Sequence, residues 1–234
     1  METLFYAPAI ASGSELPEDE SQHCTRVLRL KEGDEITVTD GKGHLYRAVL
    51  KDVHRKRCRV EIAEARDAEP LRDFRIHLAV APTKRADRME WLVEKATEIG
   101  VDEITCLRCR YSERREIKRE RLCKIAVGAM KQSQQAVLPQ INGMTDFEAF
   151  IAPGFEGCKM FGHCREDRTK QLIREVYRPG QNALLMIGPE GDFSSGETEA
   201  ALAAGFFPVS LGKSRLRTET AALAACHTIH VLNL

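Results

Sequence analysis

Short runs of alternating apolar and polar residues fill the first third of the chain, and glycine-containing turns separate them. The runs cover residues 35–39, 44–50 and 57–65, and Asp-Gly-Lys-Gly at 40–43 has the composition of a hairpin turn. A period of two is typical of half-buried β-strands. A short helix is predicted at 18–28. We therefore predict a small, mostly β barrel or sandwich at this end of the chain.

From residue 75 onwards, apolar runs of strand length alternate with amphipathic helices. Leu92, Val93 and Ile99 share one face of the first helical pattern. Alternation of strands and helices over most of the remaining chain predicts an α/β domain, with a parallel sheet covered on both faces. The last helix, 220–232, is apolar almost all round, which fits burial in its own domain or at a subunit interface. The predicted strands are 75–81, 103–107, 157–162, 183–187 and 207–211.

The stretch 65–73, which contains Pro70, is the predicted linker between the two patterns. We therefore expect two domains, 1–70 and 71–234. With 43% hydrophobic and 30% charged residues, the composition is that of an ordinary globular protein and excludes collagen-like and disordered classes. No apolar run approaches the roughly 20 residues that cross a bilayer, and no basic leader precedes the first apolar residues. We expect a cytoplasmic protein with no membrane partner.

The eight cysteines are scattered, which predicts reduced thiols and not a disulfide framework. Cys106 and Cys109 have the spacing of half a zinc site, and His163 with Cys164 is the candidate for the other half. Structural zinc usually needs two such pairs, whereas a free cysteine at the end of an apolar run commonly packs as a small hydrophobe. We therefore expect no metal.

Two glycine-containing loops follow the last two predicted strands. Residues 188–194 read Gly-Pro-Glu-Gly-Asp-Phe-Ser, and residues 211–221 read Leu-Gly-Lys-Ser-Arg-Leu-Arg-Thr-Glu-Thr-Ala. Ligands bind parallel sheets at the carboxyl ends of strands, so these loops are the candidate site. Ser194 and Glu197 have capping-box spacing, which predicts that a helix begins there.

Three common explanations of such loops do not fit. Gly-Lys-Ser at 212–214 lacks the upstream glycine of a phosphate-binding P-loop, because Phe207 stands there. No G-x-G-x-x-G follows the first α/β strand, and Ser194 is not in a G-x-S-x-G turn. Nucleoside triphosphatase, dinucleotide-binding and hydrolase functions are therefore disfavoured.

Taken together, the two loops resemble the RsmE family of ribosomal RNA small-subunit methyltransferases, within the knotted SPOUT class. The shared patterns are GPEG.FS..E at 188–197 and LG...LR.ETA at 211–221. Further similar stretches are His-Cys-Thr-Arg-Val-Leu-Arg at 23–29, Lys-Ala-Thr-Glu-Ile-Gly at 95–100, and Gln132-Ser133. The resemblance covers nearly the full length. It implies methylation of N3 of a uridine in 16S rRNA, with S-adenosyl-L-methionine as the methyl donor.

The resemblance also implies a fold, an assembly and a set of site residues. The expected fold is a PUA-like β-barrel RNA-binding domain followed by an α/β domain whose carboxyl-terminal segment forms a deep trefoil knot. A homodimer that acts on the small ribosomal subunit is the expected assembly. The implied donor contacts are Ile187, Gly188, Pro189, Glu190, Gly191, Leu211, Gly212, Leu216, Arg217, Thr218, Thr220 and Ala221.

We predict that Arg217 is catalytic, because a guanidinium can stabilise the charge that develops on uracil oxygens as N3 loses its proton. A structural ion pair with Glu190 or Glu219 is the alternative. Glu190 is the second predicted catalytic residue, and Asp192 and Glu219 remain open as general bases. The sequence departs from relatives at Asp192, often a glycine, at Gln135, often an arginine, and at 213–215, commonly Pro-Arg-Ile.

RNA contact is predicted from clustered bases, although the 35 Lys and Arg balance 35 Asp and Glu. Residues 108–131 alone carry nine basic and three acidic side chains. A solvated face is the alternative for any single cluster. Two other functions stay open: a non-catalytic RNA-binding protein on the same fold, and a SPOUT methyltransferase acting on tRNA. The predicted RNA contacts are Arg26, Arg29, Lys31, Arg114, Arg115 and Lys131.

Overall fold

The structure is a computed structural model that describes residues 3–164 and 169–234. The chain divides into two compact units. The first contains residues 1–71 and 127–138, and the second contains 72–126 and 139–234. The segment 127–138, which the sequence assigns to the second domain, thus belongs to the first unit.

A four-stranded sheet in the order β1-β2-β3-β4 forms the centre of the first unit. β1 pairs with β2 in parallel, and the other pairs are antiparallel. Helix α1 (Glu18–Gln22) continues into a π-helical turn, His23–Val27, so the predicted short helix is confirmed. The strands are β1 (Leu4–Tyr6), β2 (Glu35–Thr39), β3 (His44–His54) and β4 (Arg57–Asp67).

Alternation placed the antiparallel strands correctly because one face of each is buried. Val38, Leu50 and Val60 belong to one hydrophobic cluster with Phe5. β1 escaped prediction because three residues are too few for a periodic pattern. The predicted linker is wrong at its start, since β4 continues to Asp67.

A seven-stranded sheet forms the second unit, in the order β7-β6-β5-β10-β8-β11-β9, and every pair in it is parallel. Its strands are β5 (Ile76–Val80), β6 (Glu103–Arg108), β7 (Gln140–Asp146), β8 (Cys158–Gly162), β9 (Gln171–Leu172), β10 (Ala183–Ile187) and β11 (Phe207–Ser210). The helices are α2 (Ala86–Ile99), α3 (Arg119–Gln132), whose last residues belong to the first unit, α4 (Phe147–Ile151), α5 (Ile173–Val176), α6 (Ser195–Ala203) and α7 (Thr218–Leu232).

Helices cover both faces of this sheet, as predicted. Leu184 and Met186 of β10 pack in a cluster with Phe147 of α4 and Ala201 of α6. The alternate residues of β10 point to the opposite face, where α7 packs against β10, β5 and α2. The two edge strands, β7 and β9, were missed. β7 reads Gln-Ile-Asn-Gly-Met-Thr-Asp, too polar for a buried run, and β9 has two residues.

Cys106 and Cys109, which have the spacing of half a zinc site, are buried in the described structure. Cys106 and Cys109 lie in the interior, where desolvation raises the pKa of Cys106 to about 12 and also raises the pKa of Cys109. Within 3–164 and 169–234, no group of three or more His, Cys, Asp or Glu side chains is arranged to hold a metal ion. The same ranges contain no helix with the length and apolar character that a membrane crossing requires.

Candidate functional site

A cavity of about 600 Å³ lies at the carboxyl edge of the parallel sheet in the second unit. The strands β10, β8 and β11 are neighbours, so the loops that follow them meet at this edge. Ten of the twelve predicted donor contacts line the cavity. They are Ile187, Gly188, Pro189, Glu190, Leu211, Gly212, Leu216, Arg217, Thr218 and Ala221.

The other two predicted contacts, Gly191 and Thr220, are not in the cavity wall. Gly191 packs on Tyr111, and a Cβ at residue 191 would lie 2.9 Å from the Tyr111 Cβ. This glycine therefore permits close packing of the loop. Thr220 is exposed on α7.

Hydrogen bonds hold the loop 188–194 in one conformation. Asp192 has a φ of 65°, the left-handed region that glycine adopts readily and aspartate tolerates better than most residues. Its carboxylate accepts the Cys164 N–H at 2.9 Å and the Phe193 N–H at 2.8 Å. Glycine would adopt this backbone conformation without strain, and the carboxylate of Asp192 adds a link to the chain after β8.

Two further contacts anchor the ends of this loop. The predicted capping box is confirmed: Ser194 Oγ accepts the Glu197 N–H at 3.3 Å, and Glu197 accepts the Ser194 N–H at 2.8 Å. At the other end, Thr218 Oγ1 donates to the Gly188 carbonyl at 3.3 Å. That bond joins the first loop to the start of α7, which follows the second loop.

The second loop, 211–217, is mostly exposed. Gly212 has a φ of 120°, which favours glycine, and its N–H contacts Ser210 Oγ at 3.4 Å. Lys213 and Arg215 are exposed, and in the part of the chain that the structure describes neither side chain has an ion-pair partner. This loop presents positive charge to solvent beside the cavity.

Arg217 is the residue immediately before α7 and is exposed. The alternative ion pair with Glu190 or Glu219 does not form among the described residues. Glu219 pairs instead with Arg88 of α2, at 3.6 Å from Nε to Oε1. Glu190 is exposed and accepts the Lys84 N–H at 3.0 Å. Arg217 is therefore available to a ligand.

Several cavity residues come from parts of the chain that the sequence did not connect with these loops. They include Arg88, Gly162, His163, Cys164 and Lys170. The His163 ring stacks on Phe161, with centroids 5.2 Å apart, and Lys170 Nζ donates to the His163 carbonyl at 3.3 Å. Gly162, His163 and Cys164 reach the cavity because β8 lies between β10 and β11. No local motif in the sequence indicates that position.

The predicted RNA contacts differ in solvent exposure and in the hydrogen bonds that their side chains form. Within the first unit Arg26, Arg29 and Lys31 are exposed, and within the second Arg115 is exposed. Arg114 is half-buried and donates to the carbonyls of residues 83 and 84 at 3.0 and 2.6 Å, so it stabilises a loop.

Lys131, the last predicted RNA contact, forms an ion pair within the first unit. Its amine lies 2.5 Å from Glu20 Oε1, and its side chain is only 19% exposed. Burial raises the pKa of Glu20, while the hydrogen bond and charge of Lys131 act in the opposite direction. Lys131 therefore stabilises a mostly buried carboxylate.

Comparisons with known proteins agree with this geometry. The RNA methyltransferase domain family matches residues 70–230, and the RNA methyltransferase PUA domain family matches residues 16–63. A ribosomal RNA small subunit methyltransferase E of Synechocystis is 31% identical and covers 88% of this chain and 69% of its own length.

Two solved structures are similar over the whole chain. A probable rRNA-methyltransferase from Porphyromonas gingivalis is 46% identical with a TM-score of 0.95, over 99% of this chain and 98% of that one. The ribosomal RNA small subunit methyltransferase E of Neisseria gonorrhoeae, bound to S-adenosyl methionine, is 28% identical with a TM-score of 0.86, over 100% and 98%. The chain has a small amino-terminal PUA-like domain and a parallel-sheet methyltransferase domain, and it belongs to the ribosomal RNA small subunit methyltransferase E family.

Proposed function

We propose that this chain methylates N3 of a uridine in the 16S rRNA of the small ribosomal subunit, with S-adenosylmethionine as methyl donor. The observation that carries the proposal is the cavity at the carboxyl edge of the sheet, lined by ten of the twelve residues that the resemblance implies for the donor. Membership of the family and the donor bound to the Neisseria relative support the same function.

The cavity fits such a donor. Its volume of about 600 Å³ is in the usual range for small-ligand sites. Backbone groups of Gly188, Leu211 and Gly212 at its wall can recognise an adenine edge without side chains. S-adenosylmethionine, when bound, supplies a methyl group on a positively charged sulfur.

The chain's own residues have two tasks, to orient the uracil and to favour loss of the N3 proton. Uracil N3 is a weak acid, and each unit between its pKa and the working pH costs about 1.4 kcal/mol. Arg217 stabilises the negative charge on the uracil oxygens, and positioning of the two reactants contributes roughly 7–11 kcal/mol. Glu190, the second predicted catalytic residue, already holds the Lys84 backbone, which supports a contact in the donor pocket more than a proton transfer.

The proposal extends to the domains and the assembly. The first unit, residues 1–71 and 127–138, is the RNA-binding domain, with Arg26, Arg29 and Lys31 as phosphate contacts, and the second unit, residues 72–126 and 139–234, is the catalytic domain. The carboxyl-terminal segment is threaded as a deep trefoil knot, the protein acts as a homodimer, and it works in the cytoplasm. The resemblance supports the knot and the dimer, and the apolar α7 is compatible with a subunit contact.

Nucleoside mass spectrometry of 16S rRNA from cells with and without the protein tests this function. We expect 3-methyluridine to disappear when the protein is absent and to return with the purified protein and S-adenosylmethionine. Restoration on tRNA and not on 16S rRNA would favour the tRNA enzyme. Calorimetry with S-adenosylmethionine separates the non-catalytic alternative, because an RNA-binding module would release no heat.

A further inference from the structure

Glu219 is a buried carboxylate at the start of α7 that has one unsatisfied oxygen. It lies in the first turn of the helix, is 7% exposed, and is part of the cavity wall. Its Oε1 faces Nε of Arg88, but its Oε2 is buried and accepts no hydrogen bond from any residue in the described ranges. A buried acceptor without a donor lowers stability, so a ligand N–H that reaches this atom is favoured.

The other two carboxylates of the described cavity wall are already engaged. Glu190 is exposed to water, and its Oε1 accepts the Lys84 N–H. Asp192 has a backbone N–H on each of its two oxygens. Glu219 is thus the acidic residue of this wall that combines shielding from water with an uncommitted oxygen.

We infer that Glu219 accepts the N3 proton of the target uracil, a role that rests on the proposed function. The N3–H group donates to Oε2, and the proton passes to this oxygen. The new N3–C bond forms as the carbon–sulfur bond breaks, and the electron pair of that bond stays on sulfur. Arg88 is a positioning residue, because it holds Oε1 and so orients the carboxylate.

Glu219→Gln tests the assignment, since it keeps the size of the side chain and removes the proton acceptor. Single-turnover methylation of 16S rRNA should fall about 100-fold or more, which is typical of losing a general base. The calorimetric Kd for S-adenosylmethionine should change less than about threefold. Glu156→Gln, an exposed glutamate of the same unit, is the matched control and should retain both values.

The pH dependence distinguishes a proton acceptor from a structural role. Below the pKa of uracil N3, the rate of Glu219→Gln should rise about tenfold per pH unit, because solvent must then remove the proton, and the wild type should rise less steeply. RNA that carries a more acidic 5-fluorouridine at the target should rescue the variant more than the wild type.

Near wild-type turnover of Glu219→Gln would overturn the assignment, and so would a slow variant with unchanged pH dependence. Weakened donor binding in this variant would place Glu219 at the methyl donor and would also overturn it. If Glu219→Gln does not fold, Glu219→Asp replaces it. The shorter carboxylate keeps a proton acceptor and should retain the wild-type pH dependence, whereas the steep pH dependence expected without an acceptor contradicts the role. A wild type that forms no 3-methyluridine is instead a failure of the proposed function.

Discussion

The two loops that line the cavity are built in opposite ways. Loop 188–194 is held by the side chains of Asp192, Ser194 and Thr218, and its Gly188 and Pro189 are buried. Loop 211–217 is exposed over most of its length. One wall of the cavity is therefore anchored by side-chain hydrogen bonds, whereas the other is open to solvent.

This difference separates two tasks in the proposed function. A rigid wall of backbone groups suits a small donor of constant shape, because its binding groups need no rearrangement. An exposed, cationic wall suits an RNA segment, whose phosphates are recognised by charge.

Arg217→Ala should lower methylation of 16S rRNA about 100- to 1,000-fold, as does removal of one group that stabilises developing charge. Donor affinity should stay unchanged, because the donor contacts implied for this loop are made by its backbone, which the substitution keeps. The unfolding temperature should also stay unchanged, because Arg217 is exposed and has no ion pair among the described residues. Single-turnover kinetics and calorimetry measure these quantities. Arg178→Ala, an exposed arginine elsewhere in the unit, is the control. If Arg217→Ala keeps the wild-type turnover, Arg217 of loop 211–217 has no catalytic role.

Asp192→Gly and Asp192→Ala should both weaken S-adenosylmethionine binding by about tenfold. Both variants lose two hydrogen bonds that hold the donor loop, and this loss should lower the binding free energy by about 1.4 kcal/mol. The alanine variant should also be less stable than the glycine variant by about 1 kcal/mol, because a Cβ is unfavourable at a φ of 65°. Calorimetry and denaturant unfolding check the two effects. Equal stabilities would show that this loop relaxes freely and would contradict its rigidity.

Cys164 should be the cysteine that alkylating reagents modify first, because it is exposed beside the cavity. S-adenosylmethionine should slow its modification severalfold. Cys106 and Cys226 should remain unmodified in the native protein even at pH 9, since burial raises the pKa of each to about 12 and keeps the thiol protonated. Mass spectrometry of labelled peptides follows each site. If S-adenosylmethionine does not change the labelling rate of Cys164, the donor binds outside this cavity.

Lys213→Ala and Arg215→Ala should each weaken RNA binding a few-fold and reduce the slope of log affinity against log salt by about 1. Binding titrations at several salt concentrations measure that slope. Lys95→Ala is the matched control, because this lysine already pairs with Glu94 and Glu98. Salt slopes equal to the wild type in both variants would show that RNA does not contact loop 211–217.

Local sequence patterns predicted those elements whose ends depend on a few neighbouring residues. The apolar run 183–187 became β10 with its predicted bounds, and the Ser194–Glu197 capping box marked the start of α6. The two glycine loops indicated most of the cavity wall, because residues of one loop stay close in space whatever the fold.

The remaining features of the site depend on contacts between residues that are far apart in sequence. Arg88 meets Glu219 because α2 packs on α7, and Cys164 meets Asp192 because β8 lies beside β10. The ion pair of Lys131 is a third example, because its partner, Glu20, is 111 residues away.

By itself the sequence determined the α/β class of the second unit, the β-rich first unit, the family, and the two loops with their glycines and caps. These features depend on periodicity and backbone conformation over a few residues, which side-chain order encodes directly. The strand order, the place of residues 127–138 in the first unit, and the burial of Glu219 beside Arg88 depend on long-range contacts in the folded chain. Strand order and helix packing bring distant residues together, and burial, which selects the carboxylate with an unsatisfied oxygen, exists only once the chain has folded.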